Sequence, residues 1–107
     1  MLNRKTEDIE ELLDGVREAC GAHSIEPYGD WDDPRSVGFR IRGIPATFSI
    51  IVEGRLPERH YNVQIESYPP QDLDYLYCDR AVSLWEFLDL LSLMSGPRDN
   101  WPKMTPR

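Results

Sequence analysis

The chain has 107 residues, of which 40% are hydrophobic and 29% charged, and its formal net charge is −7 at pH 7. This length and balance are typical of one globular domain, so we expect a single domain over 1–107 with irregular or flexible tails at 1–6 and 97–107. The acidity argues against nonspecific nucleic-acid binding, which needs clustered lysine and arginine. It favours a well-solvated surface, or a surface matched to a basic partner.

No segment of the sequence has the pattern of a membrane span. The longest apolar run, from Leu84 to Met94, is interrupted by Glu86 and Asp89 and falls short of the ~18 residues that a span requires. The first residues also contain no apolar segment of the kind found in secretory signals. We therefore expect a cytoplasmic protein with no membrane contact.

The cysteines and histidines do not have the spacing of a metal or redox site. Cys20 and Cys78 are far apart, and neither lies near His23 or His60 in the sequence. In a cytoplasmic chain two such cysteines are more often small buried hydrophobes than a disulfide. We expect no metal and no cofactor.

The first predicted element is a helix from Glu7 to Cys20, capped by Thr6 or Asn3 and ended by Gly21. Its apolar face consists of Ile9, Leu12, Leu13, Val16 and Cys20. The remaining surface is acidic and carries Glu7, Asp8, Glu10, Glu11, Asp14 and Glu18. Of these, Glu7, Glu10 and Glu11 are candidate contacts to a basic protein partner.

Residues 22–36 are predicted to form a loop because two prolines and a Gly-Asp step interrupt any regular pattern. The loop contains an aromatic and acidic cluster, formed by Tyr28, Asp30, Trp31, Asp32 and Asp33. Its carboxylates resemble calcium ligands, but the spacing of an EF-hand loop is missing, so we expect no metal here. Two interpretations stay open: a protein-recognition loop, or a Trp31 that packs on the core among solvated aspartates.

Three consecutive runs then alternate between apolar and polar residues, which predicts an antiparallel meander with one buried face. The inward positions are Val37, Phe39 and Ile41, then Phe48, Ile50 and Val52, then Tyr61, Val63 and Ile65. Residues 75–79 are expected to form a fourth strand at the edge. On the other face we expect Arg40 and Arg42 to pair with Glu66 across the strands.

The last predicted helix begins with a capping box, in which Ser83 and Glu86 satisfy each other's backbone N–H groups. Gly96 is expected to end it in a left-handed conformation, followed by Pro97. Its apolar face comprises Leu84, Phe87, Leu88, Leu91 and Met94. Trp85 and Leu93 fall outside that face. We expect the C-terminal tail or a loop to cover them, with Trp101 as an anchor; the alternative is an exposed apolar patch.

The predicted fold is α+β: an antiparallel three- to four-stranded meander with the N- and C-terminal helices packed on one face, α-β-β-β-(β)-α. The order of elements is similar to that of double-stranded-RNA-binding domains. That resemblance stops at topology, because the start of the last helix, Ser83 to Glu86, is apolar and acidic where those domains are basic.

No catalytic motif is present: there is no nucleophile elbow, no reactive-cysteine motif and no phosphate-binding glycine loop. His60 and Glu58 are a conceivable acid–base pair, which we interpret as solvated side chains. We therefore expect a non-enzymatic domain that binds another protein and neutralises it, in the manner of an immunity protein, an antitoxin or a phage inhibitor. Two alternatives stay open. One is a structural or assembly subunit that self-associates, for example as a homodimer, through Trp85, Leu93 and the exposed strand edge; the other is a small-ligand-binding domain.

Overall fold

A computed structural model describes residues 6–29, 34–54, 60–68 and 75–103. These residues form two α-helices, five strands and one short 3-10 helix. In chain order the elements are α1 (Glu7–Cys20), β1 (Ile25–Pro27), β2 (Ser36–Ile41), β3 (Ala46–Glu53), β4 (His60–Ser67), β5 (Leu76–Val82), α2 (Leu84–Met94) and the 3-10 helix (Arg98–Asn100). The predicted α+β class is confirmed.

The strands form one antiparallel sheet in the order β1-β2-β3-β4-β5. Phe48 lies opposite Phe39 on β2 and opposite Ile65 on β4, so the predicted inward positions of the three central strands share one face. This is the face that the two helices cover. The opposite face, here called the open face, carries the intervening polar residues.

The sheet has one strand more than the predicted three to four, because β1 lies within the segment that we predicted to be loop. Ile25 pairs with Ile41 and Pro27 with Phe39, and the backbone N–H of Arg42 donates to the carbonyl of Ser24 at 2.8 Å. Three residues that include a proline show no alternation. Only the pairing with β2, which is distant in sequence, makes this segment a strand.

The centre of the core is an aromatic cluster around Phe48. Phe39 stacks on it with the ring centroids 5.4 Å apart, and Phe87 of α2 approaches edge-on at 6.1 Å. At the other end of the core, the hydroxyl of Tyr61 donates a hydrogen bond of 2.7 Å to the carbonyl of Asp8. These contacts join both helices to the same face of the sheet.

Helix α1 has the predicted bounds, but its cap differs from the expectation. Thr6 occupies the N-cap position, yet its side chain makes no capping hydrogen bond. Its backbone N–H donates instead to the carbonyl of Pro34 at 3.0 Å. The start of α1 is therefore fixed by its hydrogen bond to the segment at Pro34 and by the acidic residues of its first turn, which interact favourably with the positive end of the helix dipole.

Helix α2 begins with the predicted capping box. The backbone N–H of Glu86 donates to Ser83 Oγ at 3.1 Å, and the backbone N–H of Ser83 donates to Glu86 Oε1 at 3.1 Å. Its end was predicted wrongly: the C-cap is Ser95 in a right-handed conformation, and Gly96 is not among the described residues with positive φ. The N–H of Ser95 bonds to the carbonyl of Leu91 at 3.0 Å, which closes the last turn without a left-handed glycine.

In the segment after α2, which we predicted to be irregular or flexible, residues Arg98–Asn100 form the 3-10 helix and Trp101 packs on the domain. Trp101 is buried and packs edge-on against Tyr75, with the ring centroids 5.0 Å apart. The Tyr75 hydroxyl donates to the carbonyl of Pro102 at 2.8 Å, and the guanidinium of Arg98 lies 5.1 Å from the Trp101 ring centroid. The predicted return of Trp101 to the domain is confirmed. Residues 1–5 and 104–107 lie outside the described part of the chain.

None of the helices in the described ranges is long and apolar enough to cross a membrane.

The capping box yields a stability prediction. We expect Ser83→Ala to lower the free energy of unfolding by about 1 kcal/mol, because one backbone N–H of the first turn of α2 loses its acceptor. Ser92→Ala is the matched control, since Ser92 is exposed in the same helix and alanine is a better helix former. Urea unfolding followed by circular dichroism measures both; equal effects of the two substitutions would contradict the role of the cap.

Candidate functional site

The outer surface of α1 is an acidic stripe of five exposed carboxylates: Glu7, Glu10, Glu11, Asp14 and Glu18. The stripe lies opposite the buried face of the helix, as the spacing predicts. Within it, Arg17 donates to Asp14 at 3.1 Å across one turn. Like charges four residues apart destabilise a helix by about 0.2–0.5 kcal/mol per pair, so repulsion within the stripe opposes the benefit that Glu7 and Glu10 gain from the helix dipole.

The two helices meet at Gly15. A Cβ atom built there would lie 3.4 Å from Leu84 Cδ1 and 3.6 Å from Leu88 Cδ1, so the leucines of α2 pack directly against α1. Because these leucines face α1 and Phe87 faces the sheet, the remaining side of α2 turns outward, with Trp85 on it. The acidic stripe and Trp85 therefore lie on one outer surface, here called the helical outer face.

Trp85 is the most exposed large hydrophobic residue that the structure describes. Its relative exposure is 76%, and that of Leu93, two turns further along α2, is 47%. The expectation that the tail or a loop covers them was wrong: within the described residues, Trp101 packs on Tyr75 instead. The alternative, an exposed apolar patch, is what the structure shows.

The structure places Tyr28 away from the helical outer face. Its backbone N–H donates to the carbonyl of Gly38 at 2.9 Å, which extends the pairing of β1 and β2. The Tyr28 ring meets Tyr68 edge-on at 5.9 Å, and the guanidinium of Arg40 lies 3.7 Å from the Tyr68 ring centroid. Tyr28 thus belongs to an aromatic cluster on the open face. The other predicted members of its loop, Asp30, Trp31, Asp32 and Asp33, lie outside the described residues.

The ion pairs of the open face differ from the prediction. Arg40 and Arg42 both approach Glu26 of β1, with N···O distances of 3.7 and 3.6 Å, rather than Glu66. Glu66 instead accepts a hydrogen bond of 2.8 Å from Gln64 on its own strand. The short strand β1, which the sequence did not reveal, supplies the carboxylate.

A shallow groove of about 610 Å³ runs across the open face beside β5. Ile51, which is 52% exposed, forms its most apolar part. The lining residues are Ser49, Ile51, Glu53, Asn62, Val63, Gln64, Cys78, Asp79 and Arg80. The alternation of the strands predicted that several of these lining residues lie on the open face. It did not predict that β5 makes that face concave.

The structure describes one member of the conceivable acid–base pair, His60, and both cysteines. His60 Nε2 lies 3.6 Å from Glu53 Oε2 on the neighbouring strand, in a partly solvated pair, whereas Glu58 lies outside the described residues. Cys20 and Cys78 are not joined in a disulfide. Burial raises the pKa of the Cys20 thiol, which disfavours the nucleophilic thiolate. No three metal-ligating side chains within the described ranges converge on one point.

Comparison of the chain with protein-family models, with curated proteins and with solved structures found no match.

The acidic stripe yields a prediction about stability. We expect Glu18→Gln to raise the free energy of unfolding by about 0.3–0.5 kcal/mol at low salt, because Glu18 lies one turn after Asp14 and near the negative end of the α1 dipole. Glu7→Gln, at the positive end, should bring no gain. Urea unfolding at low ionic strength and in about 1 M NaCl measures both, and salt should remove the difference. Equal gains from the two substitutions would contradict this interpretation.

Proposed function

We propose that this protein is a non-enzymatic domain that binds another protein through its helical outer face. The observations that carry the proposal are the exposure of Trp85 on α2 and the acidic stripe on α1, the helix against which α2 packs. Tryptophan is the residue most enriched in binding hot spots, and a hot spot needs a surrounding rim that is polar. Here the carboxylates of α1 supply that rim on one side.

The chemistry of the surface supports a partner of one general kind. Five carboxylates favour a partner with a basic surface, while Trp85 and Leu93 require an apolar contact at its centre. An immunity protein, an antitoxin or a phage inhibitor acts by binding and masking a functional surface of its target. We propose that this protein belongs to this class. The unbridged cysteines support a reducing compartment, which makes the cytoplasm the proposed location.

The test compares capture of partner proteins by variants of the tagged protein. We expect Trp85→Ala, and separately Glu10→Lys with Glu11→Lys, to abolish enrichment of a partner that the wild type retains at moderate salt. Ile51→Ala is the matched control, because it truncates an exposed apolar residue on the open face. Once the partner is purified, Trp85→Ala should weaken binding by about 2 kcal/mol, or roughly thirtyfold, by calorimetry.

The outcomes separate the proposal from its alternatives. A partner that both helical-face variants retain at wild-type levels would contradict the proposal. Sedimentation velocity on the purified wild type addresses self-association: a concentration-dependent dimer that Trp85→Ala dissociates would assign the same surface to assembly. Circular dichroism and urea unfolding of each variant confirm that the fold is intact.

The open-face groove favours a second candidate function, the binding of a small ligand. Its volume of about 610 Å³ falls within the range of ligand pockets, roughly 300–1,000 Å³, although it is shallow. A thermal-shift screen of metabolites would support this candidate if one compound stabilises the wild type and Ile51→Ala reduces that shift. Under the main proposal Ile51→Ala has no effect on capture of the partner, so the two candidates give opposite results for one variant.

A further inference from the structure

A second concavity lies on the helical side of the sheet, where α2 passes beside β5. It is a cleft of about 220 Å³, here called the β5–α2 cleft. Six residues line it: Tyr77, Asp79 and Val82 from β5, and Glu86, Asp89 and Leu90 from α2. Strand β5 has β4 as its neighbour on one side and is the last strand of the sheet on the other, so the cleft adjoins an edge.

The floor of the cleft is apolar. Tyr77 lies opposite Ile65 in the register of β4 and β5, so its ring is on the face that the helices cover. Val82 is buried and Leu90 is partly buried against the core. These three side chains offer a surface suited to an aliphatic stem or a planar group.

The rim of the cleft is negative and partly fixed in position. Asp79 accepts two hydrogen bonds, from the Tyr77 hydroxyl at 2.9 Å and from the backbone N–H of Arg80 at 2.8 Å. Glu86 is held by the N–H of Ser83 through the capping box. Two of the three carboxylates are therefore ordered before any ligand arrives, which lowers the entropy that binding costs.

The pKa of Tyr77 is raised mainly by burial and further by two of these carboxylates. Burial raises the pKa of Tyr77 to about 12, with further contributions from its hydrogen bond to Asp79 and from the charges of Asp79 and Glu86. The part of this increase that comes from the charges of Asp79 and Glu86 reflects a negative field, which would stabilise a cation at the same place; the part that comes from burial would not. None of the six lining side chains is basic, so the cleft supplies no cation of its own.

The size of the β5–α2 cleft and the arrangement of its carboxylates limit the kind of cation that it could bind. The described residues contain no group of three carboxylate, histidine or cysteine side chains that could hold a metal ion. At about 220 Å³ the cleft is also smaller than the roughly 300–1,000 Å³ of small-molecule pockets. It is suited to a single cationic side chain with an apolar stem.

We infer that the β5–α2 cleft receives an arginine side chain of the protein partner. The inference rests on the proposed function and deepens it, because Asp89 of the cleft follows Trp85 by four residues on α2 and therefore lies one helical turn from it. A guanidinium is planar, stacks on an aromatic ring such as Tyr77, and directs several donors at spread carboxylates, whereas an ammonium acts as a point charge. Arginine therefore fits this floor and rim better than lysine.

The test uses a blocked arginine peptide, Ac-Val-Arg-Val-NH2, and its citrulline analogue, which keeps the shape and removes the charge. In ¹⁵N NMR titrations of the full chain, the arginine peptide should shift amides of β5 and of the first two turns of α2. The citrulline peptide should not. The double variant Glu86→Gln with Asp89→Asn should weaken arginine binding about fivefold, and glutamine at position 86 preserves the capping box.

The control variant removes two carboxylates elsewhere, Glu66→Gln with Asp99→Asn, and should bind the arginine peptide as the wild type does. Equal shifts with citrulline, or equal weakening in both double variants, would overturn the inference. Tighter binding of Ac-Val-Lys-Val-NH2 at the same amides would overturn the choice of arginine. If the cleft fails this test while Trp85→Ala still abolishes capture of the partner, the proposed function stands without it. If arginine binds the cleft but Trp85→Ala leaves capture intact, the proposed function fails instead.

Discussion

The fold depends on one constraint, which is that only one face of the sheet is apolar and that Phe48 lies at its centre. Phe48 contacts Phe39 on the adjacent strand and Phe87 on α2, so it joins sheet and helix in one cluster. Truncating such a buried aromatic residue typically costs about 3–5 kcal/mol, against a total stability of about 5–15 kcal/mol for a domain. Both helices must lie on this face to cover it, which turns their other sides outward.

That arrangement leaves apolar surface that folding does not need. Leu84 and Leu88 already fill the space between the helices at Gly15, and Phe87, Leu91 and Met94 fill the core. Burial of a large apolar side chain is worth about 1.5–3 kcal/mol, and Trp85 realises little of that within the described structure. A partner that covers Trp85 would gain the free energy of burying this side chain, whereas the fold does not depend on that burial.

Local signals in the sequence were sufficient for much of the fold. The capping box of Ser83 and Glu86 involves residues three apart, and the alternation around Phe48 fixes which side chains face the helices. Strand β1 could not be predicted, because its three residues become a strand only by pairing with β2. The helical spacing of α2 predicted that Trp85 lies outside the apolar face. It could not predict whether another part of the chain covers Trp85. The β5–α2 cleft could not be predicted, because Asp79 approaches Glu86 and Asp89 only through tertiary packing. The one signal in the sequence was the spacing of Glu86 and Asp89, which lie three residues apart on α2.

Charge and apolar contact have separate roles on the helical side of the molecule. The acidic stripe on α1 and the three carboxylates of the β5–α2 cleft lie on this side. On the open face, by contrast, Arg40 and Arg42 pair with Glu26. This asymmetry would orient the domain as it approaches a basic surface and raise the association rate, an effect that salt screens. Contact with Trp85 is short-range and depends little on salt, so it would govern how long a complex lasts. If the domain binds a partner as we propose, charge would select that partner at a distance and apolar contact with Trp85 would retain it.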